Sequence, residues 1–103
     1  MAVSEPAGGV NLTRKLLEVF PNPFNASARV NWQMKREGTA DLKVFDAGGR
    51  VVRTLASGPC PAGSYTTVWN GADNSGRRLA RGIYFVRLST PDQTVKIKTV
   101  LAR

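Results

Sequence analysis

Ala28-Arg29-Val30-Asn31-Trp32-Gln33-Met34 alternates strictly, with Ala28, Val30, Trp32 and Met34 on one side and Arg29, Asn31 and Gln33 on the other. A period of two is what a β-strand needs when one sheet face is buried and the other is wet. A helix would scatter these apolar residues around its circumference instead. The same short-period pattern recurs along the chain and decides the fold class.

Working toward the C-terminus, Lys35 to Thr39 reads as a polar turn, after which Ala40, Leu42 and Val44 alternate with Asp41 and Lys43 in an antiparallel neighbour strand. Asp46-Ala47-Gly48-Gly49 offers residues that tolerate positive φ, so a hairpin leads into Arg50 to Leu55 with Val52 pointing inward. Gly58 to Gly63 holds two prolines that cannot donate to a ladder and is expected to be a connection. Tyr65 to Trp69 follows as a strand with Tyr65, Thr67 and Trp69 on one face, Trp69 being the core choice. The loop Asn70 to Gly82 then feeds Ile83 to Ser89, with Tyr84, Val86 and Leu88 on one face and Ile83, Phe85 and Arg87 on the other. A Pro91-Asp92 turn precedes the last strand, Thr94 to Ala102.

Toward the N-terminus, Leu16 to Phe20 is expected to be the first strand. The only helical alternative, Leu12 to Phe20, is stopped by Pro21 and Pro23 and is too short to hold alone. Residues 1 to 14, with Pro6, Gly8, Gly9 and Asn11, have the composition of a flexible linker, leaving 15 to 103 as the folded domain. About seven strands at this spacing predict an all-β, immunoglobulin-like Greek-key β-sandwich of antiparallel strands, with a small barrel as the alternative. Cys60 is the one cysteine, so packing of Trp32, Trp69, Tyr84 and the aliphatics, not a disulfide, must join the sheets.

The composition also bounds function. The 103 residues contain no histidine, and the seven acids (Glu5, Glu18, Glu37, Asp41, Asp46, Asp73, Asp92) form no evident acid–base pair. No enzyme activity, metal or cofactor is therefore expected. The segment Trp69 to Gly82 is rich in short oxygen-bearing side chains, but it lacks the alternate ligand spacing and closing glutamate of a calcium loop; Asx turns account for the same residues. No apolar run is long enough to span a membrane, and the opening MAVSEPAGG lacks a basic region followed by an apolar one, so no signal peptide is expected and the chain reads as a piece of a longer protein. A net charge of +8 favours anionic partners such as lipopolysaccharide, acidic glycans or nucleic acid, without choosing among them. The charge is concentrated late, at Arg77, Arg78, Arg81, Arg87, Lys96, Lys98 and Arg103. Nucleic acid is not expected, because neither an RNA-reading motif nor a helix for a major groove is present. Phe20-Pro21-Asn22-Pro23-Phe24-Asn25 reads as a rigid corner with Phe24 inserted into the core.

Six segments, taken in order, carry a family resemblance. They are Phe-Pro-Asn-Pro-Phe-Asn (20–25), Leu-Lys-Val-Phe-Asp-Ala-Gly-Gly-Arg-Val-Val-Arg-Thr-Leu (42–55), Pro-Ala-Gly (61–63), Trp-Asn-Gly (69–71), Gly-Ile-Tyr-Phe-Val-Arg-Leu (82–88) and Lys-Thr-Val-Leu-Ala-Arg (98–103). Together they resemble the type A C-terminal sorting domain of the type IX secretion system. The chain is also similar to the immunoglobulin-like domain of flagellar hook-cap proteins, through Trp69-Asn70-Gly71, Asp73, Gly76 and Gly82-Ile83-Tyr84. The sorting-domain resemblance implies a non-catalytic module of a larger secreted protein, delivered through the periplasm to the cell surface. Its implied partners are an outer-membrane translocon, a surface peptidase, an upstream cargo domain and anionic lipopolysaccharide. The signature residues it implies for recognition are Pro21, Asn22, Pro23, Gly48, Arg50, Gly82, Tyr84 and Lys98, with the last strand as the segment read. The chain departs from the pattern at Ala26, Thr99 and Ala102. The alternatives are a structural or assembly module of the hook-cap kind and a carbohydrate-binding or adhesive module using Tyr65, Phe45 and Phe85.

Overall fold

A computed structural model describes residues 16–102. The expected linker at 1–14 lies outside the described residues. Seven strands follow in chain order: β1 (Leu17–Phe20), β2 (Ala28–Met34), β3 (Gly38–Asp46), β4 (Val51–Cys60), β5 (Gly63–Trp69), β6 (Gly82–Ser89) and β7 (Thr94–Leu101). They form a three-stranded sheet ordered β1-β2-β5 and a four-stranded sheet ordered β4-β3-β6-β7. Every strand pair is antiparallel. The chain crosses between sheets after β2, β4 and β5, which gives the Greek-key sandwich of immunoglobulin type.

The alternation in the sequence becomes the burial pattern of the strands. Ala28, Val30, Trp32 and Met34 of β2 face Leu42 and Val44 of β3 and Tyr84, Val86 and Leu88 of β6 across one core. Trp69 is fully buried, with the Phe24 ring at 5.3 Å and the Tyr84 ring edge-on at 5.5 Å. Trp32 stacks on Tyr65 at 4.6 Å. Each indole donor has an acceptor, Thr67 Oγ1 at 3.1 Å for Trp32 and the Ala72 carbonyl at 3.0 Å for Trp69, so neither ring carries an unpaired N–H into the interior.

The connection expected over Gly58 to Gly63 is shorter than that reading. β4 continues to Cys60, with Gly58 opposite Ala40 and Pro59 opposite Thr39, and β5 begins at Gly63. A proline is tolerated here because β4 is an edge strand, where the missing N–H can face away from the ladder. The turn after β2 is likewise shorter, since β3 starts at Gly38. The β3–β4 hairpin closes as its composition predicts: Asp46 Oδ1 accepts from the Gly48 and Arg50 N–H groups at 3.0 and 2.9 Å. Gly49 sits at φ +91°, a conformation that strains any residue with a Cβ.

Candidate docking surface

The corner between β1 and β2 is built against the last strand. Its two X–Pro bonds, Phe20-Pro21 and Asn22-Pro23, are both cis. The Asn22 side chain and the Phe24 backbone lie along the outer edge of β7. Asn22 Nδ2 donates to the Lys98 carbonyl at 2.9 Å, while its Oδ1 accepts from the Val100 N–H at 3.1 Å and the Thr99 hydroxyl at 3.4 Å. One step further, the Phe24 N–H donates to the Val100 carbonyl at 3.0 Å and the Ala102 N–H to the Phe24 carbonyl at 2.8 Å. The side-chain amide of Asn22 acts as a surrogate peptide group, and Phe24 continues the same ladder as a parallel bridge to Leu101. The Phe24 ring meanwhile fills the core beside Trp69.

The other signature residues gather at the same end of the four-stranded sheet. Register puts Asp46 opposite Tyr84, Tyr84 opposite Thr99 and Gly82 opposite Leu101. Gly48 and Arg50 are exposed in the β3–β4 turn, where the Arg50 guanidinium adds an ion pair to Asp46 at 3.3 Å. The backbone N–H of Arg50, supported by those of Gly48 and Gly49 and by the Arg50 charge, holds the Asp46 carboxyl below its usual value. Tyr84 is buried, and its hydroxyl donates to the Ala80 carbonyl at 2.5 Å, a tyrosine corner that pins the start of β6. Gly82 has φ +150°. Pro21, Asn22, Pro23 and Lys98 therefore form one contiguous unit, Gly48 and Arg50 form a turn, and Gly82 and Tyr84 brace the interior of the same end.

The opposite edge of this sheet is capped by a device that sequence reading missed. The backbone N–H of Asn74 donates to the Val52 carbonyl at 3.1 Å, and its Oδ1 accepts from the Thr54 N–H at 2.9 Å, covering the outer edge of β4. Arg53 reaches the Ala72 and Asp73 carbonyls at 3.3 and 3.4 Å. Asp73 Oδ1 accepts from the Ser75 hydroxyl, the Ser75 N–H and the Arg77 N–H. These bonds, the Ser75 hydroxyl foremost, hold its carboxyl below the usual value. Within the Asn70 to Gly82 loop, Asn70 Oδ1 and Asp73 Oδ1 accept from N–H groups of the loop itself, whereas Asn74 Oδ1 accepts from β4. Among the described residues no group of three or more His, Cys, Asp or Glu is placed to share a metal ion.

The late basic residues divide into two sets. Arg77, Arg78 and Arg81 are exposed on the loop, whereas Arg87, Lys96 and Lys98 lie on the outer face of β6 and β7; Arg103 lies outside the described residues. The Arg87 guanidinium covers the Phe45 ring at 4.5 Å and the Lys96 ammonium sits 5.2 Å from the centre of Phe85. Tyr65 belongs to the other sheet, packs on Trp32 and donates from its hydroxyl to the Pro61 carbonyl at 2.6 Å. The three aromatics considered for a sugar platform therefore do not share a face. No helix among the described residues is long and apolar enough to cross a membrane.

Comparison with known proteins matches this architecture. No curated protein sequence matches the chain. PorZ, described as an essential bacterial surface component of the type IX secretion system of Porphyromonas gingivalis, superposes with a TM-score of 0.60 at 22% identity over 84% of this chain and 11% of PorZ. FlgD from Xanthomonas campestris, described in connection with the hook capping essential for flagellar assembly, superposes with a TM-score of 0.56 at 24% identity over 84% of this chain and 62% of that one. This chain spans less than two thirds of either protein, and at these identities the likeness is one of fold. The FlgD Ig-like domain family matches residues 20–94, from the Pro-Asn-Pro corner to the start of the last strand. The chain belongs to the FlgD Ig-like domain family.

Proposed function

We propose that this domain is a non-catalytic sorting module that directs a larger secreted protein through the type IX secretion system to the cell surface. The observation that carries the reading is the Asn22 ladder: the Pro-Asn-Pro corner and the last strand, the two ends of the sorting signature, are one hydrogen-bonded unit. A receptor reading that end of the sandwich meets a surface fixed by folding, with Lys98 and Arg50 exposed and Tyr84 and Thr99 bracing it from within. The partners in this reading are an outer-membrane translocon, a surface peptidase and the cargo domain, with anionic lipopolysaccharide as the acceptor surface for a domain of net charge +8.

The test is a secreted reporter carrying residues 15–103 in a host with a competent type IX system. Deleting the last strand removes Thr99 and Leu101 from the core and unfolds the domain, so the informative variant is Lys96→Glu with Lys98→Glu, whose side chains are exposed. Surface display is expected to fall while the urea midpoint holds; undiminished display from both the charge variant and the deletion refutes the reading.

Family membership favours a second reading, an assembly module of the hook-cap kind. That reading predicts display indifferent to the charge reversal and self-association of the purified domain in sedimentation.

A further inference from the structure

The outer edge of β7 is divided in two. The groups that the corner engages are the Lys98 carbonyl, the Val100 N–H and carbonyl and the Ala102 N–H, so the backbone of residues 98, 100 and 102 faces outward. The period of two carries the same orientation to Lys96 and Thr94. There β7 has no strand neighbour among the described residues, since it ends the four-stranded sheet. Burial records the same division. Thr99 and Leu101 are fully buried, yet Ile97 and Val95, on the same face of the same strand, are only half-buried.

Beside that open half lies a trough of about 400 Å³ between β1 and β7, lined by the aliphatic Leu16, Leu17, Val19, Val95 and Ile97, with Glu18 and Asn22 at its margin. On the outer face of the sheet the same stretch presents Lys96 and Lys98, flanked by Arg87. The nearest carboxylates do not neutralise them. Asp41 is paired with Lys43 at 3.2 Å and Asp46 with Arg50 at 3.3 Å, while Glu18, on β1 of the other sheet, lines the trough rather than the outer face that carries the lysines.

We infer that the Thr94–Lys98 edge of β7 receives an extended segment of a partner protein as an added strand, with apolar and acidic residues in alternation. The added strand continues the ladder that Asn22 and Phe24 begin. Its side chains must alternate between the sandwich interior, where five of the seven residues lining the trough are aliphatic, and the outer face, where the neighbours are lysines. A second copy of β7 does not fit, because it would set lysine against lysine across the new pair. The inference deepens the docking reading above and rests on it.

The test uses a short fluorescent peptide in which glutamate and valine alternate, a control of the same composition in block order, and the full 103-residue chain. Binding is followed by anisotropy, and amide exchange is followed at Lys96 and Lys98. The alternating peptide is expected to bind, to slow exchange at both amides and to outcompete the block peptide. Lys96→Ala removes the charge and keeps the N–H, and weakens binding about threefold. Lys96→Pro also removes the outward N–H and blocks the added strand, weakening binding about tenfold or more while its ladder to β6 and its urea midpoint hold. Equal binding of the two peptides, equal loss in the two variants, or no binding overturns the inference. So does protection of the Lys96 amide in the free chain that disappears when residues 1–15 are deleted, which would make the chain itself the occupant. If the peptide fails while Lys96→Glu with Lys98→Glu still lowers reporter display, strand addition falls and the sorting reading stands.

Discussion

Replacing Asn22 by alanine is predicted to destabilise the domain far more than an exposed residue normally does. Two well-formed hydrogen bonds disappear, to the Lys98 carbonyl and from the Val100 N–H, each with a net value of about 0.5–1.5 kcal/mol. The hydroxyl of Thr99, with no exposed surface, also loses an acceptor, though at 3.4 Å that bond is long and adds less. The sum is about 1–3 kcal/mol, or a fall in Tm of about 4–8 °C for each kcal/mol in a domain of this size. Urea unfolding followed by the fluorescence of Trp69 and Trp32 measures it. Thr99→Val sharpens the test, because it should cost less in the Asn22→Ala background than in the wild type, with a coupling of about 0.5 kcal/mol or more. A loss below about 0.5 kcal/mol for Asn22→Ala, the range of an ordinary surface change, would refute the claim that this amide substitutes for a strand.

Trp69→Ala removes the ring between Phe24 and Tyr84 and is expected to cost about 3–5 kcal/mol in urea unfolding, enough to leave a small domain largely unfolded. Asp46 and Asp73 have carboxyls held below the usual value in the folded state, so their contribution to stability is present above the unfolded carboxylate range and is lost as pH falls through the lowered folded value. The urea midpoints of Asp46→Asn and Asp73→Asn should therefore lie below the wild type at neutral pH and converge on it as pH falls through the lowered folded value; a gap independent of pH contradicts this.

Sequence reading finds what is local. The alternation of β2 and β6 is legible because one face of each is buried, and the Asp46 to Gly49 turn because its chemistry is complete within a few residues. The continuation of β4 through Pro59 is not legible, since whether a strand lies at an edge depends on which strands pair, not on its own residues. The corner is half legible. Pro21 and Pro23 announce a stiff turn, but the amide between them bonds residues 76 to 78 positions away. Asn74 is the same case on the other edge, reading as one more loop asparagine until the fold brings Thr54 to it. Signature positions known only through resemblance thereby acquire separate physical roles: Asn22 staples, Tyr84 pins, Gly82 supplies a positive-φ backbone conformation, Gly48 donates its N–H to Asp46, and the Lys98 side chain remains exposed.

Residue-by-residue amide hydrogen exchange along β7 in the free domain tests the central claim most directly. The outward N–H groups of Val100 and Ala102, bonded to Asn22 and Phe24, should be protected, and those of Lys96 and Lys98 on the same strand edge should exchange far faster. Uniform protection, or uniformly fast exchange, along this edge would contradict the division of the last strand into a stapled half and an open, readable half.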